Sequence, residues 1–220
     1  MADKLENTTE PLSNRVVAGL QKIGLAMKSQ AWKEANRRRV TPLQGQTLAL
    51  LRMRVGRGAT MSALAQELAV TLPTASDVIR TLEVKGWVRK KRSKVDRRVI
   101  TITLTAEGMR KADGGAGWPD FLAAVADQLP VAEQESLLRI LIKMIRTLQE
   151  RSEIPVARMC VTCCYFRPRV YDDPERPHHC DFVNAPFGDR LLRIDCAEHE
   201  PAAKAQAERN WKTFNQGSRL

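Results

Sequence analysis

The chain has 220 residues, 43% of them apolar, enough for a globular core and too many for a disordered chain. Its formal net charge of +11 calls for a polyanionic partner, either nucleic acid or an acidic membrane surface. A bilayer span is not expected, because the best apolar helix, Leu137 to Leu148, is short and interrupted by Arg139, Lys143 and Arg146. The opening MADKLENTTE holds acidic residues and no apolar run, so a secretory signal is not expected either, and the cytoplasm is the expected compartment.

Residues 1–12 are polar and read as a disordered N-terminus. Residues 13–40 follow as a long helix, from Asn14 to about Arg38, with Val16, Val17, Leu20, Ile23, Leu25 and Met27 on a broad apolar face. Pro42 then opens a helix whose Leu43, Leu48, Leu50, Leu51 and Met53 should bury, and Gly56 and Gly58 close it.

Met61 to Leu68 reads as a short helix with Leu64, Ala65 and Leu68 on one face and a cap from the Thr60-Met61-Ser62 start. A tight turn leads to Pro73, which suits the first turn of a second helix, where Ala75, Val78, Ile79 and Leu82 recur at helical spacing. Thr74, Ser76, Asp77 and Arg80 are left on the opposite face. Two helices joined in this way form a helix-turn-helix, whose second helix can lie in a major groove and touch base edges.

Gly86 ends that helix, Trp87 to Arg92 reads as a basic strand, Ser93 to Arg98 as a polar tip, and Val99 to Leu104 as the returning strand. The hairpin forms a wing carrying Lys91, Arg92, Lys94, Asp96, Arg97 and Arg98 as further candidate DNA contacts. Between Arg80 and Arg98 nine lysines and arginines stand against Glu83 and Asp96, a local excess of seven. Such a cluster neutralises phosphates and releases counterions, while the helix face reads bases.

Thr41-Pro-Leu ahead of a helix, the Leu64-Ala65 helix, Leu82-Glu-x-x-Gly86-Trp-Val, and Asp96-Arg97-Arg98 ahead of the Val99 to Thr105 strand together resemble the MarR family of winged-helix regulators. The likeness spans roughly residues 13 to 150. It implies a mainly α fold with a small β-wing (α+β), and a homodimeric transcription factor, usually a repressor, acting on double-stranded DNA with Arg98 or Arg97 entering the minor groove. It also implies that residues 13–40 and 105–153 supply dimerisation helices around a DNA-binding domain at 41–104. Two recognition helices one DNA turn apart then imply a pseudo-palindromic operator. Many members bind small aromatic effectors, but no effector crevice is identifiable in this sequence. Asp77 departs from the pattern, because many relatives carry a basic residue there. It can accept from a cytosine amino group or orient Arg80.

After the wing, Thr105 opens a helix that the Gly114 to Gly117 run breaks. Helices from Trp118 to Leu129 and from Val131 to Arg151 follow, separated at Pro130. The second carries Leu137, Leu138, Leu141, Met144, Ile145 and Leu148 as a stripe fit to pack on a partner helix.

Residues 154–200 change character. Cys160, Cys163, Cys164, Cys180 and Cys196 fall in a stretch rich in Pro, Asp and Arg, and ten basic residues balance ten acidic ones from Glu153 onward. With few periodic apolar residues, this appendix is expected to need a metal to order it. Cys160, Cys163, Cys180 and Cys196 are the expected ligands; an iron–sulfur cluster is the first reading, zinc the second and a metal-free redox pair the third. Cys164 reads as a small buried residue, and His178, His179 and His199 as neighbours of the site rather than ligands. Residues 201–220 read as a polar tail, a loose helix or disordered, containing Trp211. Trp32 and Trp87 read as core or interface residues.

An enzyme is not expected. Cys160-x-x-Cys163 does not open a helix after a strand, where a redox thiolate would be stabilised, and no catalytic triad or nucleotide loop is present. A non-specific nucleic-acid module is the other rival, but it would have no use for the outward face of the recognition helix, and Asp77 would oppose it.

Overall fold

The computed structural model describes residues 10–38, 40–92, 99–113, 117–155 and 157–216. These separate into two units, residues 1–123 and 124–220, each with its own core. No helix among the described residues is long and apolar enough to cross a membrane.

The first unit opens with α1 (Leu12–Arg38) and α2 (Pro42–Met53). α2 begins in a full capping box: Thr41 Oγ1 accepts from the Gln44 N–H, and Gln44 Oε1 accepts from the Thr41 N–H, both at 3.2 Å. A two-residue strand β1 (Ala59–Thr60) leads into α3 (Met61–Glu67), capped by Thr60 accepting from the Ala63 N–H. α4 (Leu72–Val84) is capped by Thr71, with Pro73 in its first turn. The wing strands β2 (Val88–Arg92) and β3 (Ile100–Leu104) pair antiparallel, and β1 adds to the other edge of β3, giving the order β1-β3-β2.

Leu48, Leu51, Leu64, Ile79, Leu82, Val88 and Ile102 meet in the core of this unit, with Trp87 packed at its margin. The helical stripes predicted for α3 and α4 and the inward face of the wing therefore close on one another, as expected. On α2, Leu48, Leu50 and Leu51 are buried as expected, whereas Leu43 is half-buried and Met53, the last residue of the helix, is exposed. α5 (Ala106–Asp113) opens at Thr105, whose hydroxyl donates to the Gly86 carbonyl at 2.7 Å and accepts from the Gly108 N–H at 3.0 Å. One side chain thus fixes both the end of α4 and the start of α5. Only glycine fits at 108, because a Cβ there would lie 1.8 Å from the Trp87 carbonyl oxygen.

α6 (Gly117–Ala126) spans the boundary between the units, and α7 (Val131–Glu150) belongs to the second. Beyond it come a 3-10 turn at Cys160–Thr162, a small sheet of β4 (Phe166–Arg167), β5 (His178–Cys180) and β6 (Ala185–Phe187), a 3-10 turn at Asp189–Leu191, and α8 (Lys204–Gln216). The sheet order is β4-β5-β6, all antiparallel, with Phe166 opposite Cys180 and Cys180 opposite Ala185.

Two expectations about this region are corrected. The cysteine-rich segment has a core of its own: Met159, Val161, Phe166, Phe187 and Leu192 are buried with Phe214 of α8 and Ile142 of α7. The tail is not loose, since α8 buries Phe214 completely and stacks Trp211 on it. Sparse apolar residues suffice because four of them are large aromatics, each burying far more surface than an aliphatic residue. Of the α7 stripe, Leu138 and Ile145 pack onto this core and Leu137 stays exposed, while Ile142, which the predicted stripe left out, is fully buried in it.

A buried polar hub braces the same core. His178, wholly buried, accepts the Arg169 N–H at Nδ1 (3.2 Å) and so places its own proton on Nε2, which it donates to Asp189 Oδ1 at 2.8 Å. Arg139 of α7 donates to the other Asp189 oxygen and lies over the Phe214 ring at 4.7 Å. Burial pushes the Asp189 carboxyl up, but the hydrogen bonds from His178 and Arg139 and the charge of Arg139 outweigh it and hold the group down at about 2.

Candidate nucleic-acid interface and cysteine-lined cavity

On α4 the burial of Ala75, Ile79 and Leu82 turns Thr74, Ser76, Asp77 and Arg80 to solvent in one row. Asp77 and Arg80 pair at 2.7 Å, with both side chains about 70% exposed. The aspartate therefore orients the arginine in the free protein, one of the two roles the sequence leaves open. Thr74 Oγ1 also lies 2.9 Å from the hydroxyl of the cap residue Thr71.

The wing alternates with period two. Val88 and Lys90 lie on the side of the buried Ile102, where Lys90 reaches Glu83 at 2.7 Å. Arg89 and Lys91 stand opposite Thr103 and Thr101 on the other face. There, with Arg92, Arg54 and Arg57, they line a basic groove of about 430 Å³. Lys91 and Arg92 were expected at the surface of the wing; Arg89, Arg54 and Arg57 were not singled out. Strand alternation pairs Arg89 with Lys91 and was the available signal, whereas nothing in the local sequence brings the end of α2 to the wing. Lys94, Asp96, Arg97 and Arg98 lie outside the described residues.

A family model described as the MarR family matches residues 41–100. Residues 41–100 are thus similar in sequence to the MarR family. Among solved structures, Staphylococcus aureus MepR in its DNA-binding conformation is 28% identical, with a TM-score of 0.56 over 60% of this chain and 98% of that one. The Staphylococcus aureus MepR–DNA complex is 27% identical, with a TM-score of 0.52 over 60% of this chain and 97% of that one. No curated protein matches the chain. The likeness to the MarR family falls in the region where local caps, helical stripes and wing register all agree.

The second unit brings Cys160, Cys163, Cys180 and Cys196 to one cavity of about 270 Å³, shared with Tyr165, Phe166, Phe182, Val183, Leu191 and Arg193 among others. Backbone bonds hold the loops that carry them. The Cys160 N–H donates to the Arg193 carbonyl at 3.0 Å, the Cys163 N–H to the Cys160 carbonyl at 2.9 Å, and the Cys196 N–H to the Arg158 carbonyl at 2.9 Å. Arg193 donates its own N–H to Cys160 Sγ at 3.3 Å and a guanidinium N–H to Cys196 Sγ at 3.9 Å.

Burial pushes the Cys160 thiol up to about 11, opposed by the Arg193 N–H and reinforced by the nearby Cys196, Cys163 and Cys180. Among the described residues no three His, Cys, Asp or Glu side chains are grouped closely enough to hold a single metal ion. Cys164 is half-buried rather than buried and does not line the cavity; its N–H donates to the Glu200 carbonyl at 2.9 Å. The histidines do not line it either: His178 sits in the polar hub, His179 Nδ1 is 2.9 Å from the Tyr171 hydroxyl, and His199 Nε2 is 3.0 Å from the Thr162 hydroxyl.

Proposed function

We propose that this chain is a sequence-specific DNA-binding transcription regulator that acts as a homodimer, represses, and answers to redox or iron state through its cysteine-rich unit. The observation that carries the DNA reading is the exposed row Thr74, Ser76, Asp77 and Arg80 on α4 beside the basic face of the wing. The row suits base edges in a major groove, and the wing suits phosphates. The solved MepR–DNA complex supports the same use of a similar fold.

Homodimerisation is supported by α1, which leaves Leu12, Val16, Val17, Leu20, Ile23 and Leu25 in solvent on a 27-residue helix. A second copy is the symmetric partner for such a face and sets two α4 helices on a pseudo-palindromic operator.

Selection of binding sites from a random duplex pool, followed by affinity measured across a salt series, tests the reading. Arg80→Ala is expected to cost about 1–3 kcal/mol on the selected site and to relax its sequence preference. Arg98→Ala is expected to weaken all sequences alike and lower the salt slope by about 1. If no preferred sequence emerges and both variants bind like the parent, the reading fails.

A further inference from the structure

The four cavity cysteines come from three separate pieces of chain: the 3-10 turn that starts at Cys160 and is followed directly by Cys163, the end of β5 holding Cys180, and the loop holding Cys196. The three pieces converge on one cavity, and Cys164, immediately beside Cys163, is left out. We infer that the cavity is the seat of a [4Fe–4S] cluster held by Cys160, Cys163, Cys180 and Cys196. This rests on the regulatory half of the proposed function and gives it a definite cofactor.

Three features support a cluster. A zinc ion binds every sulfur at about 2.3 Å and so draws four thiolates tightly around one point. Here the four thiols, brought in from three pieces of chain, line one cavity. A cubane carries its four terminal thiolates on the outside of a body several ångströms across, which suits sulfurs spread over the wall of a cavity of about 270 Å³.

The second feature is the wall. The buried Phe166 and Phe187 and the more exposed Phe182, Val183 and Leu191 make it largely apolar, and solvent access of this kind is one of the levers that set a cluster's potential. The third is Arg193, whose backbone N–H and guanidinium both point at cavity sulfurs. Donors aimed at thiolate sulfur offset the net negative charge of a cluster with four cysteinates and tune its potential.

Loading is written as ligand exchange. The four irons of a cluster capped by small thiolates each form a bond to one cysteine sulfur and release one capping thiolate. Each cysteine proton passes to the departing thiolate, and no iron changes oxidation state.

The test uses the full chain, purified without oxygen and also loaded from a 2-mercaptoethanol-capped [4Fe–4S] complex. Expected are roughly four irons and four acid-labile sulfides per chain with broad visible absorption. Cys160→Ser, Cys180→Ser and Cys196→Ser should each drop iron to background while keeping the far-ultraviolet circular dichroism of the parent, and Cys164→Ser should load like the parent. Arg193→Leu should still load but shift the reduction potential negative.

Zinc at about one per chain without sulfide, or unchanged iron in the three serine variants, overturns the inference. So does a cavity that takes an apolar dye and no iron. DNA selection with the same preparations separates the two readings: a loaded cluster with no preferred DNA site refutes the regulator, and a preferred site without iron refutes the cluster.

Discussion

Asp189 shows how much of the second unit hangs on one carboxylate. It takes a proton from neither neighbour and instead gathers His178 and Arg139 into the core. Its carboxyl is held at about 2 in the folded protein against about 4 in an unfolded chain, which corresponds to about 2 kcal/mol. The sign follows from the depressed value: this stability is fully present above pH about 4 and is lost as pH falls through about 2. Chemical denaturation of Asp189→Asn and the parent at pH 7 and pH 2.5 is expected to show a gap that narrows on acidification. Equal gaps at both pH values would mean that the carboxylate charge does not matter. Gly108 makes a comparable demand on the first unit, since Gly108→Ala drives a methyl into the Trp87 carbonyl and should cost about 2–4 kcal/mol in thermal or urea unfolding.

Among the elements, α1 and α4 differ in what they leave uncovered. The apolar face of α1 is solvated in one copy of the chain, so replacing Val16 and Leu20 by glutamate should halve the sedimenting mass while leaving helix content intact. A mass unchanged by that double substitution would place the dimer contact elsewhere. The Asp77–Arg80 pair on α4 is almost fully solvated, and such pairs contribute little stability. Asp77→Ala should therefore leave the melting temperature within about 2 °C of the parent, yet free Arg80 and change the bases selected.

The elements were legible in the sequence where side-chain period and local caps agree, as in α3, α4 and the wing. Thr105 too could be read as a helix start, although its bond to the Gly86 carbonyl could not. The second unit was harder to read. Its strands are two or three residues long, too short for alternation to show, and its core is assembled from single aromatics scattered between Phe166 and Phe214. The four cysteines were nameable from spacing; that they share one cavity, while Cys164 and all three histidines turn elsewhere, depends on how β4, β5 and β6 pair.

At the scale of the whole molecule, two separate cores predict two separate unfolding transitions. Leu64→Ala should lower only the transition of the winged helix, and Phe214→Ala only that of the cysteine-rich unit, each by about 3–5 kcal/mol. Differential scanning calorimetry on the parent and both variants checks this, and a single transition moved by both substitutions would refute it.

The burial of Phe214 beneath Phe166 and beside Ile142 also carries a consequence for how the protein is made. As the chain leaves the ribosome, the winged helix emerges with every residue of its core already present. The second unit cannot close at that moment, because its largest wedge sits on α8, far downstream of the helix it packs against. Until α8 arrives, Leu138, Ile142 and Ile145 lack part of their cover, an interval in which chaperones or a sister chain can reach them before the aromatic plug seats.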